Sequence, residues 1–218
     1  MFSRFFKKSK NQKDKRNFLR ARAFDGDRNA QFELAEYYDE LAEYEESVKW
    51  LTAAAENGHN DAKYWLALNY YTGTGTKKDY GKVIQLAEDL LRKGNDLSGA
   101  KLLGDVYSQN SFANIYYNPE KAEKYYLQVM RSGDPEFWLG TIKELIGLYG
   151  GEYKVGEHRK NSVSDPVKAV YCFYLRYLSG DGEAIKNIKT ICKNADIIIS
   201  DEQMKKWRED YLNIRCSI

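Results

Sequence analysis

Apolar and small residues recur along this chain with the period of a helix, and the segment 62–94 shows the pattern most fully. Ala62, Leu66 and Tyr70 stand four residues apart and so share one helical stripe, with Ala67 beside them small enough to let a neighbouring helix approach. Gly73 and Gly75 then interrupt the helix, where a chain reversing into a second helix calls for left-handed backbone. Asp79 is placed to cap that second helix. Val83, Leu86, Ala87, Leu90 and Leu91 give it an apolar face, and Gly94 stops it. The segment predicts one helical hairpin.

The hairpin recurs. Its first helix is repeated as Ala30, Leu34, Ala35, Tyr38, then as Gly99, Leu103, Gly104, Tyr107, and more weakly as Thr141, Leu145, Ile146, Tyr149. Its second helix opens on a small residue, Ser47, Val83, Ala122 or Ala169, and each is followed eleven residues later by Gly58, Gly94, Gly133 or Gly180. These markers lie 36, 39 and 47 residues apart, so length varies in the loop between the helices while the helices keep their size. Stacked hairpins behave this way, because a surface loop takes up an insertion and a buried stripe does not. The longest insertion runs from Gly150 to Ser164. Half-repeats end the array. Residues 12–25, with Phe18, Leu19, Arg22 and Ala23, follow the second-helix spacing. Ala184, Ile185, Ile188 and Ile191 form a further stripe, and Ser200 with Asp201, Glu202 and Gln203 opens a last helix carrying Met204, Trp207, Tyr211 and Leu212. Eleven helices are expected in all.

The order Ala, Leu, Ala or Gly, Tyr, Gly, Gly, Asp, Lys, small residue, Gly resembles the Sel1-like repeat, a relative of the tetratricopeptide repeat. Asn118, Pro119, Lys121 and Ala122, and again Asp165, Pro166, Lys168 and Ala169, resemble the same family's second-helix start. The likeness covers residues 26–181 and departs from the pattern after Tyr38 and around Phe112, Tyr116 and Tyr117, where the paired glycines are absent. It implies an all-α protein, a right-handed α/α solenoid of Sel1-like hairpins with capping helices at both ends. The expected organisation is a basic arm at 1–10 and a single solenoid over 11–214. Its repeats fall near 26–58, 59–94, 95–133 and 134–180, with C-terminal capping helices in 182–214. It also implies an adaptor or scaffold that binds another protein on the concave surface lined by the first helices.

Composition adds four constraints. With 43% hydrophobic and 30% charged residues and only three prolines, the chain is that of an ordered globular protein. Three cysteines, Cys172, Cys192 and Cys216, are odd in number and form no closed disulfide framework, which fits a reducing compartment. No apolar run has the length of a membrane-spanning helix and no secretory core follows the N-terminus, so a cytoplasmic location is expected. The net charge of +2 hides an asymmetry, because residues 1–22 hold nine Lys or Arg against one Asp while the remainder is acidic. Residues 1–10 enter no stripe. They read as a solvated tail, with weak, salt-sensitive contact to an anionic membrane as the alternative.

Candidate chemistry is sparse. His59 follows Gly58 in a turn, His158 lies in the charged insertion beside Glu157, Arg159 and Lys160, and neither has a cysteine or carboxylate at metal-ligand spacing. Gly73, Thr74 and Gly75 lack the pattern that cradles a phosphate. No catalytic residue, cofactor or metal is therefore expected, and no nucleic acid. A cysteine-rich branch of the Sel1-like family is associated with penicillin binding, but the cysteines here match none of its pairings, which leaves a hydrolase of that type as the weakest alternative. The remaining asset is aromatic. Tyr37, Trp65, Tyr71, Phe112, Tyr116, Tyr117 and Trp138 exceed what the repeat needs, and they either anchor a partner protein or seal the irregular loops. A second binding role stays open beside the adaptor. The acidic body would steer a basic target, as in an immunity protein neutralising a toxin.

Overall fold

A computed structural model describes residues 16–94, 97–109, 114–132, 135–149 and 165–216, and among them all regular structure is helical. The helices are α1 (16–24), α2 (Arg28–Glu40), α3 (Tyr44–Glu56), α4 (Asn60–Thr72), α5 (Tyr80–Gly94), α6 (Leu97–Ser108), α7 (Pro119–Arg131), α8 (Pro135–Leu148), α9 (Pro166–Leu178), α10 (Ala184–Ala195) and α11 (Asp201–Cys216). The chain divides into two compact units, with the boundary between Leu102 and Leu103, inside α6.

Each unit is built by helices packing on their neighbours in sequence. In the first, α2 packs on α3, α3 on α4 and α4 on α5; in the second, α7 packs on α8, α8 on α9, and α9 on both α10 and α11. The stripes read from the sequence are the cores. Ala30, Leu34, Ala35 and Tyr38 are buried in α2; Ala62, Leu66 and Ala67 in α4; Leu103 and Tyr107 in α6; Thr141, Leu145, Ile146 and Tyr149 at α8. All four second-helix markers, Ser47, Val83, Ala122 and Ala169, are buried too. Small residues at these places are a packing requirement. A Cβ at Gly104 would stand 2.5 Å from the ring of Tyr126.

Loops of different length close the hairpins in one way. The N–H of the residue capping the second helix donates to the carbonyl of the stripe tyrosine: Glu43 to Tyr38 (2.9 Å), Asp79 to Tyr70 (3.0 Å) and Asn118 to Tyr107 (2.9 Å). Asp79, Asn118 and Asp165 then accept from the N–H groups of Lys82, Lys121 and Lys168 through their side chains, as N-caps should. Each departure from the repeat pattern is met locally. After Tyr38, where the glycines are missing, Ala42 itself takes left-handed backbone at φ +58°. In the 109–118 loop, the buried Asn114 amide donates to the carbonyls of Val106 (2.6 Å) and Gln109 (2.9 Å) while its oxygen accepts from the N–H of Tyr116. Where the glycines are present they are needed, since Gly75 is left-handed and a Cβ there would lie 2.3 Å from the carbonyl oxygen of Tyr44.

The ends are less uniform than their spacing suggests. Leu19 and Ala23 bury α1 against Ala30, Leu34 and Tyr38, but Phe18 on the same helix faces solvent. In α11, Ser200 Oγ caps the helix by accepting from the N–H of Gln203, and Trp207 and Tyr211 are buried, whereas Leu212 is exposed. The insertion 150–164, with His158, lies outside the described residues.

Candidate protein-binding surface

The polar groups that the hairpins bury hold helices together. Counting from the small residue that opens each first helix, the next position is buried in all four copies, as Gln31, Lys63, Ala100 and Ile142. In two copies it is polar. Gln31 donates to the Ala23 carbonyl (3.0 Å) and accepts from Asn57 (2.8 Å), tying α1, α2 and the end of α3 together. Lys63, 5% exposed, pairs with Asp89 of α5. The motif lysines at the start of the second helices are also structural. Lys82, Lys121 and Lys168 stand 4.6, 5.0 and 5.4 Å from the ring centroids of Tyr70, Tyr107 and Tyr149, so these three repeats each place an ammonium on the face of the stripe tyrosine. The first copy, with Glu46 in that place, lacks the pair.

In the second unit these groups meet around Glu123. It accepts from the Tyr149 hydroxyl (2.8 Å) and from Lys168 Nζ (2.7 Å), bringing α7, the end of α8 and α9 together. Burial raises the Tyr149 phenol pKa well above its usual value, and the hydrogen bond to Glu123 adds to this. Burial likewise pushes the Cys172 thiol up to about 12, with the Glu123 charge contributing. Phenol and thiol are both held in their protonated, unreactive forms. With a pKa near 12 only about one Cys172 in ten thousand is a thiolate at pH 8. Iodoacetamide should therefore leave Cys172 unmodified in the native protein and label it in urea, as peptide mass spectrometry would read; rapid native labelling would mean that α9 is open.

His59 is likewise accounted for by the fold. Its Nδ1 caps α4 by accepting from the N–H of Ala62 (3.3 Å), and its ring stacks on Phe32 at 4.4 Å. Among the described residues no three His, Cys, Asp or Glu side chains gather as they would around a metal ion, and no helix is long and apolar enough to cross a membrane.

The aromatic candidates divide. Tyr37 is half-buried, packs on the cluster around Leu19 and Leu34, and stands edge-on to Tyr38. Trp65 is 48% exposed on α4 and meets Tyr64 edge-on at 5.6 Å. Tyr71, half-buried at the end of α4, meets Tyr80 edge-on, and its offset of six positions from Trp65 puts the two rings on different sides of the helix. In the second unit Tyr116 is exposed and Tyr117 half-buried, in the loop held by Asn114. Burial raises the Tyr117 phenol pKa. Trp138 belongs to α8, with its side chain outside what is described, and Phe112 lies outside the described residues.

An exposed acidic stretch runs along α2 and into the start of α3. From Glu33 to Glu46, seven of fourteen residues are Asp or Glu and none is Lys or Arg. In the 32-residue register that aligns α2 with α4, Glu33 corresponds to Trp65, Glu36 to Leu68 and Glu40 to Thr72. The outer faces of the first two first-helices thus combine exposed carboxylates with one exposed indole.

No family model matches the chain. The structure is similar to a protective antigen of uropathogenic Escherichia coli strains that displays the SLR fold, with a TM-score of 0.61 and 20% identity over 92% of this chain. The chain spans 41% of that protein's length. It is also similar to a Sel1 repeat protein from Oxalobacter formigenes, with a TM-score of 0.54 and 23% identity over 90% of this chain and 75% of the other. Together with the helical pairs, these likenesses establish the fold of Sel1-like repeat proteins.

Proposed function

We propose that this protein is a non-catalytic scaffold that binds a partner protein on the outward faces of its first helices, the side that would be concave in a solenoid. The observation that carries this reading is Trp65. Its neighbours on α4 at Ala62, Leu66 and Ala67 are spent on the core, whereas the indole stays half in solvent. A large exposed ring on a rigid helix offers contact area at small entropic cost. Tyr116 and Tyr117 are the anchors we assign to the second unit, and Tyr71 is a further candidate in the first. Free cysteines at Cys172 and Cys192 suit a reducing compartment, and we place the protein in the cytoplasm.

The acidic run 33–46 favours a basic partner, and an inhibitor of one cognate basic protein is a second reading of the same surface. One experiment addresses both. In affinity capture from the native cell followed by quantitative mass spectrometry, a partner held by the wild type should fall at least about tenfold with Trp65→Ala. It should fall further at moderate salt if the partner is basic. A capture profile unchanged by Trp65→Ala and Tyr116→Ala, in variants with wild-type circular dichroism, would overturn the proposed surface.

A further inference from the structure

Two helices carry charge in the same spacing and with opposite signs. On α2 the exposed Glu33, Glu36 and Glu40 stand at i, i+3 and i+7, and on α10 the exposed Lys186, Lys189 and Lys193 do the same. That spacing gathers three side chains into one row, within about 60° of each other around the helix. Each row lies opposite the residues that its helix buries, Leu34 and Ala35 in α2 and Ala184 and Ile191 in α10, which packs on α9. From Ala184 to Ala195 the three lysines are the only charged residues. Among the described residues, none of these six side chains enters an ion pair.

The two rows also end alike. Past the C-terminus of α2, Leu41 and Tyr44 are exposed, and past that of α10, Ile198 is 97% exposed. The turn that carries Ile198 is ordered: Asp196 takes left-handed backbone at φ +51°, and the N–H of Ile197 donates to the carbonyl of Cys192 (3.0 Å). Tyr44 follows the last glutamate of its row by four positions, and Ile198 follows the last lysine of its row by five.

We propose that the lysine row of α10 docks on the glutamate row of α2 in a second copy of this chain, with the two helices parallel. In that register the charges match one for one, and Ile198 of one copy comes to Leu41 and Tyr44 of the other. An antiparallel pairing would set spacings of three and four against four and three, and would send the apolar ends apart. The contact joins unlike faces, α2 on one copy and α10 on the next, so it is heterologous. It rests on the reading of the outer face of α2 as a binding surface, and it names the occupant of the acidic part of that face. An anionic bilayer suits the lysine row less, because Glu183 and Asp196 stand at the two ends of α10, where a broad anionic plane would meet them too. A short row of carboxylates meets the lysines alone.

Sedimentation velocity of the pure full chain tests the proposal. At low salt the weight-average sedimentation coefficient should rise with protein concentration, and at about 1 M salt, where charges are screened within about 3 Å, it should stay at the monomer value. Glu33→Lys with Glu36→Lys and Glu40→Lys should weaken association by about tenfold or more, because like charges then face each other. Lys186→Glu with Lys189→Glu and Lys193→Glu should do the same. An equimolar mixture of these two variants should associate again, since the lysine row kept by the first meets the glutamate row kept by the second. Ile198→Ser, added to the wild type or to both partners of the mixture, should weaken association by about tenfold, which general attraction between oppositely charged variants would not show. All seven positions are exposed, and an unchanged melting temperature verifies the fold of each variant. The proposal is overturned by a monomer at every concentration, by charge-reversed variants that associate as the wild type does, or by a mixture indifferent to Ile198→Ser. A chain that stays monomeric but pellets with anionic vesicles through its lysine row would assign that row to lipid instead. The scaffold reading is tested separately, by capture of a partner through Trp65.

Discussion

Replacing Leu103 by alanine is expected to cost about 2 to 5 kcal/mol of folding free energy, and Leu66→Ala a similar amount. Leu103 is completely buried in α6, and Leu66 is packed in α4 within the cluster of Ala35, Leu51, Ala54 and Ala62. Four of the six other buried residues in the Leu66 cluster are alanines, which have no flexible side chain to refill a void, so the cavity left by its truncation should persist. A stacked hairpin buries its stripe chiefly against neighbours, so no distant part of a larger core compensates. Urea titration followed by circular dichroism reads the loss as a lower midpoint. If both variants kept the wild-type midpoint, the repeat register would be wrong, because the register rests on these leucines being equivalent.

The register was legible because burial leaves a strict record in residue size. Ala30, Leu34 and Ala35 match Ala62, Leu66 and Ala67 one for one, and no loop insertion disturbs them. The caps were legible for a similar reason, since Asp79, Asn118 and Asp165 each satisfy an N–H at a fixed distance into the helix. Loops without glycine were not. Ala42 accepts left-handed backbone, and Asn114 substitutes side-chain hydrogen bonds for turn geometry, in ways that depend on partners set by the fold. The proposed contact surface was legible only in outline. Sequence marks an aromatic residue as surplus but does not say whether it turns inward as Tyr37 does or outward like Trp65, because both follow the helical period. The alignment of Tyr70, Tyr107 and Tyr149 with Lys82, Lys121 and Lys168 was present in the repeat, but loops of unequal length hid that each pair is in contact.

Lys63 is the residue whose role sequence conceals most, because a lysine after Ala62 looks like any exposed helical lysine. Its alignment with Gln31, Ala100 and Ile142 identifies the position as interior, and there its ammonium is paired with Asp89. Asp89→Ala should therefore be far more damaging than a surface substitution. It removes the counter-charge of an ammonium that is almost wholly out of water, and such losses reach about 3 to 5 kcal/mol at full burial. Asp89 is itself partly open to solvent, at 28% for its side chain, which lowers the expectation to about 2 to 4 kcal/mol. Lys63→Met in the same background should restore most of the stability. The thioether chain fills the space of the lysine stem and carries no charge to strand, so the double variant should lie within about 1 kcal/mol of the wild type. Urea midpoints of the wild type, both single variants and the double complete the cycle, and a strong coupling between the two positions is the expected outcome. A cost for Asp89→Ala within the roughly 0.5 kcal/mol of ordinary surface changes would mean that the ammonium reaches water on its own, and that this interior position tolerates lysine by snorkelling rather than by pairing.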